Sequence, residues 1–288
     1  WLVFPITNNT IFIFCIFDNN NNFNMNTNKL RLFIETSLKE DLGDGDHTSM
    51  GCIPKNATSS AKLLIKNNGI IAGIELAIMI FKITDNTLEF NKNLNDGDSV
   101  KSGDIAFIVS GNARSILSAE RLVLNCMQRM SAIATKTNYL NSLISHTKCK
   151  LLDTRKTTPL NRIIEKWAVL IGGGLNHRFG LFDKIMIKDN HIDFAGGIHE
   201  AINKTKSYIS SNKRDLEIIV EARNIDEVKQ IIKEKGVKRI LLDNFDFETT
   251  LEATRLIKDK CESESSGGIT EKTIIKYAEC GVDYISVG

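Results

Sequence analysis

Hydrophobic and polar positions follow two rhythms along this chain, and the change falls after residue 140. Residues 29–39 have the spacing of an amphipathic helix. They run into EDLGDGDHTS (Glu40–Ser49), where two glycines and four acids force a turn. Ala61–Lys66 and Ile70–Gly73 read as strands, and Ile74–Ile83 carries a continuous apolar face that predicts a helix. Asn95-Asp96-Gly97 and Lys101-Ser102-Gly103 read as hairpin-type turns beside short β segments, with Ile105–Val109 a further strand. Ala113–Leu140 predicts a long helix that bridges to the next domain.

Beyond that helix, apolar strand candidates recur at Lys150–Asp153, Lys184–Lys188, Glu217–Glu221, Arg239–Asp243 and Asp283–Val287. Helical patterns fill the gaps, as in Ile225–Lys235 and Thr270–Glu279. Cys261–Ser266 takes the remaining strand slot, although CESESS is polar. Strands buried on both faces and alternating with helices argue for a parallel sheet, open or closed as a barrel. Asp153, Lys188, Glu221 and Asp243 each end a strand, and Ser266-Gly267-Gly268 and Gly288 end the last two. Parallel α/β sheets place their chemistry at the carboxyl ends of strands, and barrels commonly bind phosphate after the last two. A helix-capping aspartate explains one such ending, but not the whole series.

Those strand ends carry a distinctive set of charges. Arg155–Lys156 and His177–Arg178 are separated by about one helix, Lys188 follows, and Gly172-Gly173-Gly174 lies between them. A plain alternative is a solvated basic face; against it, the cations alternate with glycine and with apolar runs. Arg121, Arg155 and Arg178 suit a substrate with two carboxylates, because each guanidinium is a planar fork. Lys156 and Lys188 suit phosphate oxygens. Glu221 and Asp243 are carboxylates among cations, and their simplest task is to hold Mg²⁺, a hard cation that accompanies substrate phosphates. Ser266-Gly267-Gly268, read as preceding a helix, would offer backbone N–H groups to a terminal phosphate. His177 suits an acid, a base or a donor, and beside an arginine a histidine more often orients a neighbour. The triple glycine matches no nucleotide fingerprint and reads as close backbone approach. In GDGDHTS, helix capping by Asp46 or Thr48 is a simpler use than chemistry at His47.

Bulk properties narrow the classes. The 288 residues suffice for one large α/β domain or two smaller ones, and a net charge of +2 offers no field for nucleic acid. Cys15, Cys52, Cys126, Cys149, Cys261 and Cys280 are scattered without paired or metal-binding spacing, so they are expected to be reduced thiols in a reducing compartment. Residues 1–28 read as a disordered or non-native leader: the chain opens on Trp1, Ile11–Phe17 is too short to span a bilayer, and Asp18–Asn28 is rich in asparagine. Met25 is a plausible start. A cytoplasmic location is expected, with organellar targeting by the leader as the alternative; no membrane partner is expected.

The ordered series EDLGDGDHTS, AERLVLN (119–125), DTRKTTP (153–159), KWAVLIGGGLNHRFGLFDKIMIKDNH (166–191), VEARN (220–224), LLDNF (241–245), ESSGG (264–268) and GVDYISVG (281–288) resembles the quinolinate phosphoribosyltransferases, from about Leu30 to Gly288. The resemblance implies an α/β fold in which an N-terminal α/β sandwich (29–130) precedes an open, incomplete parallel α/β barrel (131–288). It implies transfer from phosphoribosyl pyrophosphate to quinolinate with decarboxylation, giving nicotinate mononucleotide, with Mg²⁺ and a homodimer or higher even oligomer as the working unit. It places Thr154, Arg155, His177 and Arg178 at quinolinate, with Arg121 reaching in from a partner subunit. Lys156 and Lys188 would meet substrate carboxylate or phosphate, with Lys156, Glu221 and Asp243 serving catalysis. Glu221 and Asp243 would serve the ribose and the metal–pyrophosphate, and Ser266, Gly267, Gly268 and Gly288 would cradle the 5′-phosphate. No protein nucleophile is required, since the ring nitrogen attacks and the resulting pyridinium stabilises loss of the adjacent carboxylate.

The chain departs from the family pattern in places. Leu160-Asn161 stands where Gly-Leu usually follows TTP, Ala132 replaces a glycine, and CESE weakens one strand. The family continues past the position of Gly288, so the barrel is expected to be C-terminally truncated here. Two other readings remain: a relative that uses nicotinate or nicotinamide without decarboxylation, which needs fewer arginine forks, and a non-catalytic sensor of phosphorylated ligands, which has no use for Glu221 and Asp243.

Overall fold

A computed structural model describes residues 27–288; the expectation of disorder over 1–28 therefore lies outside the described residues, except at Thr27 and Asn28. Those two open the first helix, a correction to the expected boundary. The N-terminal part runs α1 (Thr27–Leu42), α2 (His47–Cys52), β1 (Thr58–Leu64), β2 (Gly69–Ile70), α3 (Ile74–Thr84), β3 (Glu89–Lys92), β4 (Ser99–Val100), β5 (Ile105–Asn112) and α4 (Ala113–Leu143). Strands β1, β5 and β3 form an antiparallel sheet in that order, and β2 pairs with β4. Helices α1, α3 and α4 bury Leu30, Ile34, Leu76, Ile80, Val123 and Met130 with Phe107 and Val109 of β5. Burying a side chain of this size contributes about 1.5–3 kcal/mol, so the core is set by these helix faces rather than by the short strands.

Local chemistry fixes several boundaries. Asp46 caps α2 by accepting from Ser49 N (3.0 Å), as its place in GDGDHTS predicts. The expected strand at Ile70–Gly73 shrinks to Gly69–Ile70. Ser131 and Thr135 of α4 take the backbone N–H groups of Ala72 and Ile70, so this stretch docks on a helix. Gly73 sits at φ +101°, and its missing Cβ leaves room for Met127. Because it has no capping side chain, Asp96 from the next turn accepts from Ile74 N (2.8 Å) instead.

The second part runs β6 (Lys150–Leu152), α5 (Arg162–Ile171), β7 (Ile185–Ile187), α6 (Asp189–Ala195), α7 (Ile198–Ser211), β8 (Ile218–Ala222), α8 (Ile225–Ile231), β9 (Val237–Asp243), α9 (Phe247–Ile257), β10 (Glu262–Ser266), α10 (Ile274–Glu279) and β11 (Tyr284–Ser286). Its six strands are parallel in the order β6-β11-β10-β9-β8-β7. Beside β6 the only further partner among the described residues is a single bridge, Leu152 to Leu175, so the sheet stays open between β6 and β7. The architecture is thus an α/β sandwich followed by an open α/β barrel. Helix α5 closes the seam by packing Ile164, Trp167 and Ala168 into the N-terminal core. Gly172 makes that contact possible, since a Cβ there would lie 2.5 Å from Ala134 O of α4.

Alternation along the strands sorts two faces. Leu151, Ile187, Ile218, Val220, Ala222, Ile240, Leu242 and Ile285 form the apolar core beneath the helices. The opposite, inner face carries Glu221, Arg239, Asp243, Glu262, Glu264 and Ser266. This explains the polar strand β10. Glu262 stands in register with Arg239, which donates to Glu262 Oε2 (Nε, 3.1 Å) and Glu264 Oε2 (Nη1, 2.9 Å) and stacks 3.7 Å over the Tyr284 ring. Ser263 is answered on the other face by Asp283 (2.9 Å). Much of the polarity of CESESS is therefore matched across the ladder rather than exposed, while Glu264 Oε1 and Ser265 Oγ are buried without a partner among the described residues.

Candidate active site

Two loops at the carboxyl ends of β6 and of the bridge at Leu175 carry the main cations, and a buried knot joins them. Asp153, just past β6, accepts from Lys166 Nζ (2.5 Å) and from His177 N (2.8 Å) through Oδ1. Lys166 also donates to His177 O (3.0 Å), and the Asn176 amide nitrogen donates to Asp153 Oδ2 (2.7 Å). Lys166 is 1% exposed, although it comes from a helix read in sequence only as part of a motif. Burial is the largest influence on both partners: it pushes Asp153 above the ordinary carboxylate value and Lys166 below the ordinary lysine value, against their mutual attraction.

Arg162 then staples the two loops together. Its guanidinium donates to Arg155 O (3.2 Å), Phe179 O (3.0 Å) and Thr157 Oγ1 (3.0 Å). Asp183 shapes the second loop by accepting from Phe179 N (2.6 Å) and Gly180 N (2.8 Å). Glu165 anchors the first, accepting from Thr158 N (3.3 Å) and Arg129 Nε (3.1 Å). Burial holds the Arg178 guanidinium below the usual arginine value, and the like charge of Arg155 adds to this.

The remaining expected residues ring the same end of the sheet. Lys188, just past β7, pairs with Glu221 of β8 (2.5 Å). At the end of β9, Asp243 accepts from Asn244 Nδ2 (2.8 Å), and Asn244 N donates to Ser266 O (2.8 Å). Gly267 follows at φ +91°, where a Cβ would strike Asn244. Gly288 lies against Thr154 and Lys156, so the chain's last residue and the first cation loop face one another. His177 is buried, its Nδ1 accepting from Arg178 N (2.6 Å) and its Nε2 facing Glu264 Oε2 at 3.3 Å.

The structure also redraws some expectations. Ser266-Gly267-Gly268 does not open a helix: a capped turn at Thr270–Thr273 intervenes before α10. Gly267 and Gly268, at φ +91° and +60°, are therefore turn residues after a strand. Arg121 lies on the exposed face of α4. Arg129, the α4 residue that reaches Thr158, lies eight positions further on, about 12 Å along the helix axis. Leu160 sits at φ +66°, the left-handed region that explains why glycine is usual there. Lys166, Arg162, Glu165, Arg239, Asn244 and Glu264 were not singled out from sequence. For Lys166 a signal existed, a charge on the apolar face of RIIEKWAVLI; for Glu264 the chain offered only the period-2 spacing of acids in CESESS.

The described residues also fit known proteins closely. Residues 133–288 match the family model described as quinolinate phosphoribosyl transferase, C-terminal domain, and residues 46–131 match the N-terminal domain model. The chain is 45% identical over 277 residues to a tobacco (Nicotiana tabacum) quinolinate phosphoribosyltransferase [decarboxylating], covering 91% of this chain and 79% of that protein. It is 43% identical over 277 residues to an Arabidopsis thaliana chloroplastic nicotinate-nucleotide pyrophosphorylase [carboxylating], with the same coverage of 91% and 79%. Among solved structures, the nicotinate-nucleotide pyrophosphorylase of Francisella tularensis superposes with a TM-score of 0.84 at 39% identity, covering 91% of each chain.

Proposed function

This chain belongs to the quinolinate phosphoribosyltransferase family, and we propose how its own residues divide the work of moving the phosphoribosyl group of phosphoribosyl pyrophosphate onto quinolinate. The reaction releases pyrophosphate and carbon dioxide and gives nicotinate mononucleotide for NAD biosynthesis. The observation that carries the assignment is the pair of arginine loops, Arg155 and Arg178, stapled by Arg162.

Arg155 and Arg178 grip the two carboxylates of quinolinate, and Thr154 and His177 complete that wall. Lys156 and Lys188 meet phosphate or carboxylate oxygens. Glu221 and Asp243 face the ribose, where a carboxylate stabilises the oxocarbenium-like state as the C1′–oxygen bond breaks and its electron pair leaves with pyrophosphate. The quinolinate nitrogen donates the pair that forms the new C1′–N bond. The C2–carboxylate bond then breaks, its electrons remain on C2 beside the pyridinium, and a solvent proton neutralises them. Ser266, Gly267, Gly268 and Gly288 receive the 5′-phosphate. Orientation and electrostatics supply the rate, since no covalent intermediate is involved.

Mg²⁺ is the expected cofactor. Glu221 and Asp243 are hard oxygen donors at adjacent strand ends, and no three acids, histidines or cysteines converge as a metal-holding group among the described residues. Glu221 and Asp243 would hold Mg²⁺ together with substrate or water oxygens, and the bound cation would supply positive charge to the leaving pyrophosphate.

The working unit is a homodimer in which Arg121 completes the partner's quinolinate site. Support comes from its exposed position on α4, about 12 Å from the residue that reaches this chain's own loop. Mixing inactive Arg121→Ala chains with inactive Arg155→Ala chains should restore activity, because one hybrid site then retains both arginines. No recovery after subunit exchange would refute the shared site. Arg155→Ala alone should abolish quinolinate binding; unchanged affinity would refute the pocket assignment. Among the described residues no helix is long and apolar enough to cross a membrane. We place the enzyme in the cytoplasm, and a reporter fused to residues 1–28 that enters an organelle would overturn this.

A further inference from the structure

His177 has two ring nitrogens, and the protein occupies the surroundings of both. Nδ1 lies 2.6 Å from Arg178 N, a backbone donor, so Nδ1 must be the acceptor and carry no proton. The ring proton is then on Nε2, which is buried and faces Glu264 Oε2 at 3.3 Å, off the line of an aligned hydrogen bond. Glu264 is 0% exposed at the centre of the inner barrel face. Its charge is held by Arg239 Nη1 at 2.9 Å, and Arg239 is itself fixed by Glu262 and the Tyr284 ring. Glu264 Oε1 has no partner among the described residues, and Oε2, the oxygen that Arg239 holds, is the one that faces His177.

We infer that Glu264 is a positioning residue for quinolinate, acting through His177: the carboxylate selects the Nε2-protonated ring, and that ring's Nδ1 fixes the backbone of Arg178 so that its guanidinium meets a substrate carboxylate. His177 is then a strut between the barrel interior and the arginine loop, and it moves no proton in the reaction. The chain Arg239–Glu264–His177–Arg178 spans from β9 through β10 to the site. Its other support, the bond from Asp153 to His177 N, fixes the histidine backbone but leaves ring rotation and tautomer free. Arg178 N on one side of the ring and Glu264 on the other set those.

The inference rests on Arg178 holding quinolinate, so Arg178→Ala is measured beside the test variant. Glu264→Gln should raise the KM for quinolinate by about tenfold, the loss expected when a bidentate charged contact is held loosely. The KM for phosphoribosyl pyrophosphate should stay near that of the parent, while the melting temperature falls because Arg239 loses a buried charge partner. Nitrogen-15 NMR of His177 should change from one tautomer to a mixture. A quinolinate KM that does not move, or that rises no more than the other KM, overturns the inference. If Gln at this position prevents folding, Glu264→Leu with Arg239→Met removes both charges together, and the same selective rise is expected. His177→Asn supplies a rescue, because its Oδ1 can accept from Arg178 N without Glu264. Adding Glu264→Gln to it should change nothing further, and an additional rise would mean that Glu264 acts by another route. Should Arg178→Ala leave the quinolinate KM unchanged, the pocket assignment itself fails; should it raise that KM while Glu264→Gln does not, only the present inference fails.

Discussion

Replacing Lys166 by methionine tests whether the buried pair beneath the two cation loops is what holds them in place. Methionine keeps most of the apolar stem, so the main losses are one charge and two donated bonds, to Asp153 and to His177 O. Breaking a buried ion pair by removing one partner costs about 3–5 kcal/mol. Asp153 retains two other donors, His177 N and the Asn176 amide, which places the expected loss near the lower end. For a protein of this size about 3 kcal/mol lowers the melting temperature by roughly 6–12 °C. Circular dichroism on heating measures the loss, and the KM for quinolinate should rise in parallel because His177 loses a backbone anchor.

The directions of the pair's titration add a second arm. Burial raises Asp153 and lowers Lys166, so desolvation weighs against each charged form and their attraction does not fully offset it. Removing both charges should therefore cost less than removing one. Asp153→Leu with Lys166→Met is expected to be more stable than Lys166→Met alone, yet to remain poorly active, since His177 N then lacks its acceptor. A single variant within about 1 kcal/mol of the parent, or a double variant less stable than the single, would refute the reasoning.

Further tests address other levels. Leu160, 89% exposed at φ +66°, bears a left-handed backbone cost of about 1–2 kcal/mol with no packing to offset it. After the entropy that glycine adds to the unfolded chain, Leu160→Gly should stabilise by about 0.5–1 kcal/mol in urea unfolding, and destabilisation would disprove the strain. Glu264 lies below the ordinary glutamate value of 4.5: burial, the largest influence, raises it, but His177 and Arg239 together outweigh burial. A carboxyl with a depressed folded value adds stability above its unfolded value and loses it as pH falls through the folded one. The stability gap between parent and Glu264→Gln should thus shrink below pH 4.5; a gap that stays constant there would contradict the pairing. Burial pushes the thiols of Cys126 and Cys261 up to about 11 and that of Cys149 up to about 12. In the folded protein a thiol reagent should modify exposed Cys52 well before these three, as read by peptide mass spectrometry.

Much of the fold was legible because each level of the sequence agreed. The period of apolar positions marks α3, α4 and the parallel strands, and with them the strand ends at Asp153, Lys188, Glu221 and Asp243. Expected boundaries moved where a side chain competed with regular structure. Ser131 and Thr135 took backbone donors from the expected strand at 70–73, and Thr273 capped a turn that delayed α10. These are long-range or three-residue events that periodicity does not encode.

What stayed illegible was the interior of the barrel. A pattern of polar residues in a strand normally signals exposure, so CESESS argued against its own assignment. That expectation fails because the inner face is only partly filled with hydrocarbon. Glu262 and Glu264 pair with Arg239, which stacks on Tyr284, across three strands and beside buried Ile219 and Leu241, while the larger apolar cluster lies on the helix side. Such pairing is invisible along the chain because Arg239 and Glu264 are 25 residues apart and meet only through the parallel register of β9 and β10. A polar interior gives up hydrophobic stabilisation and costs desolvation, which an arrangement selected only for stability would avoid. It is intelligible if the interior is the support of the site above it, where fixed charges set the orientation of the residues that must receive a dianion.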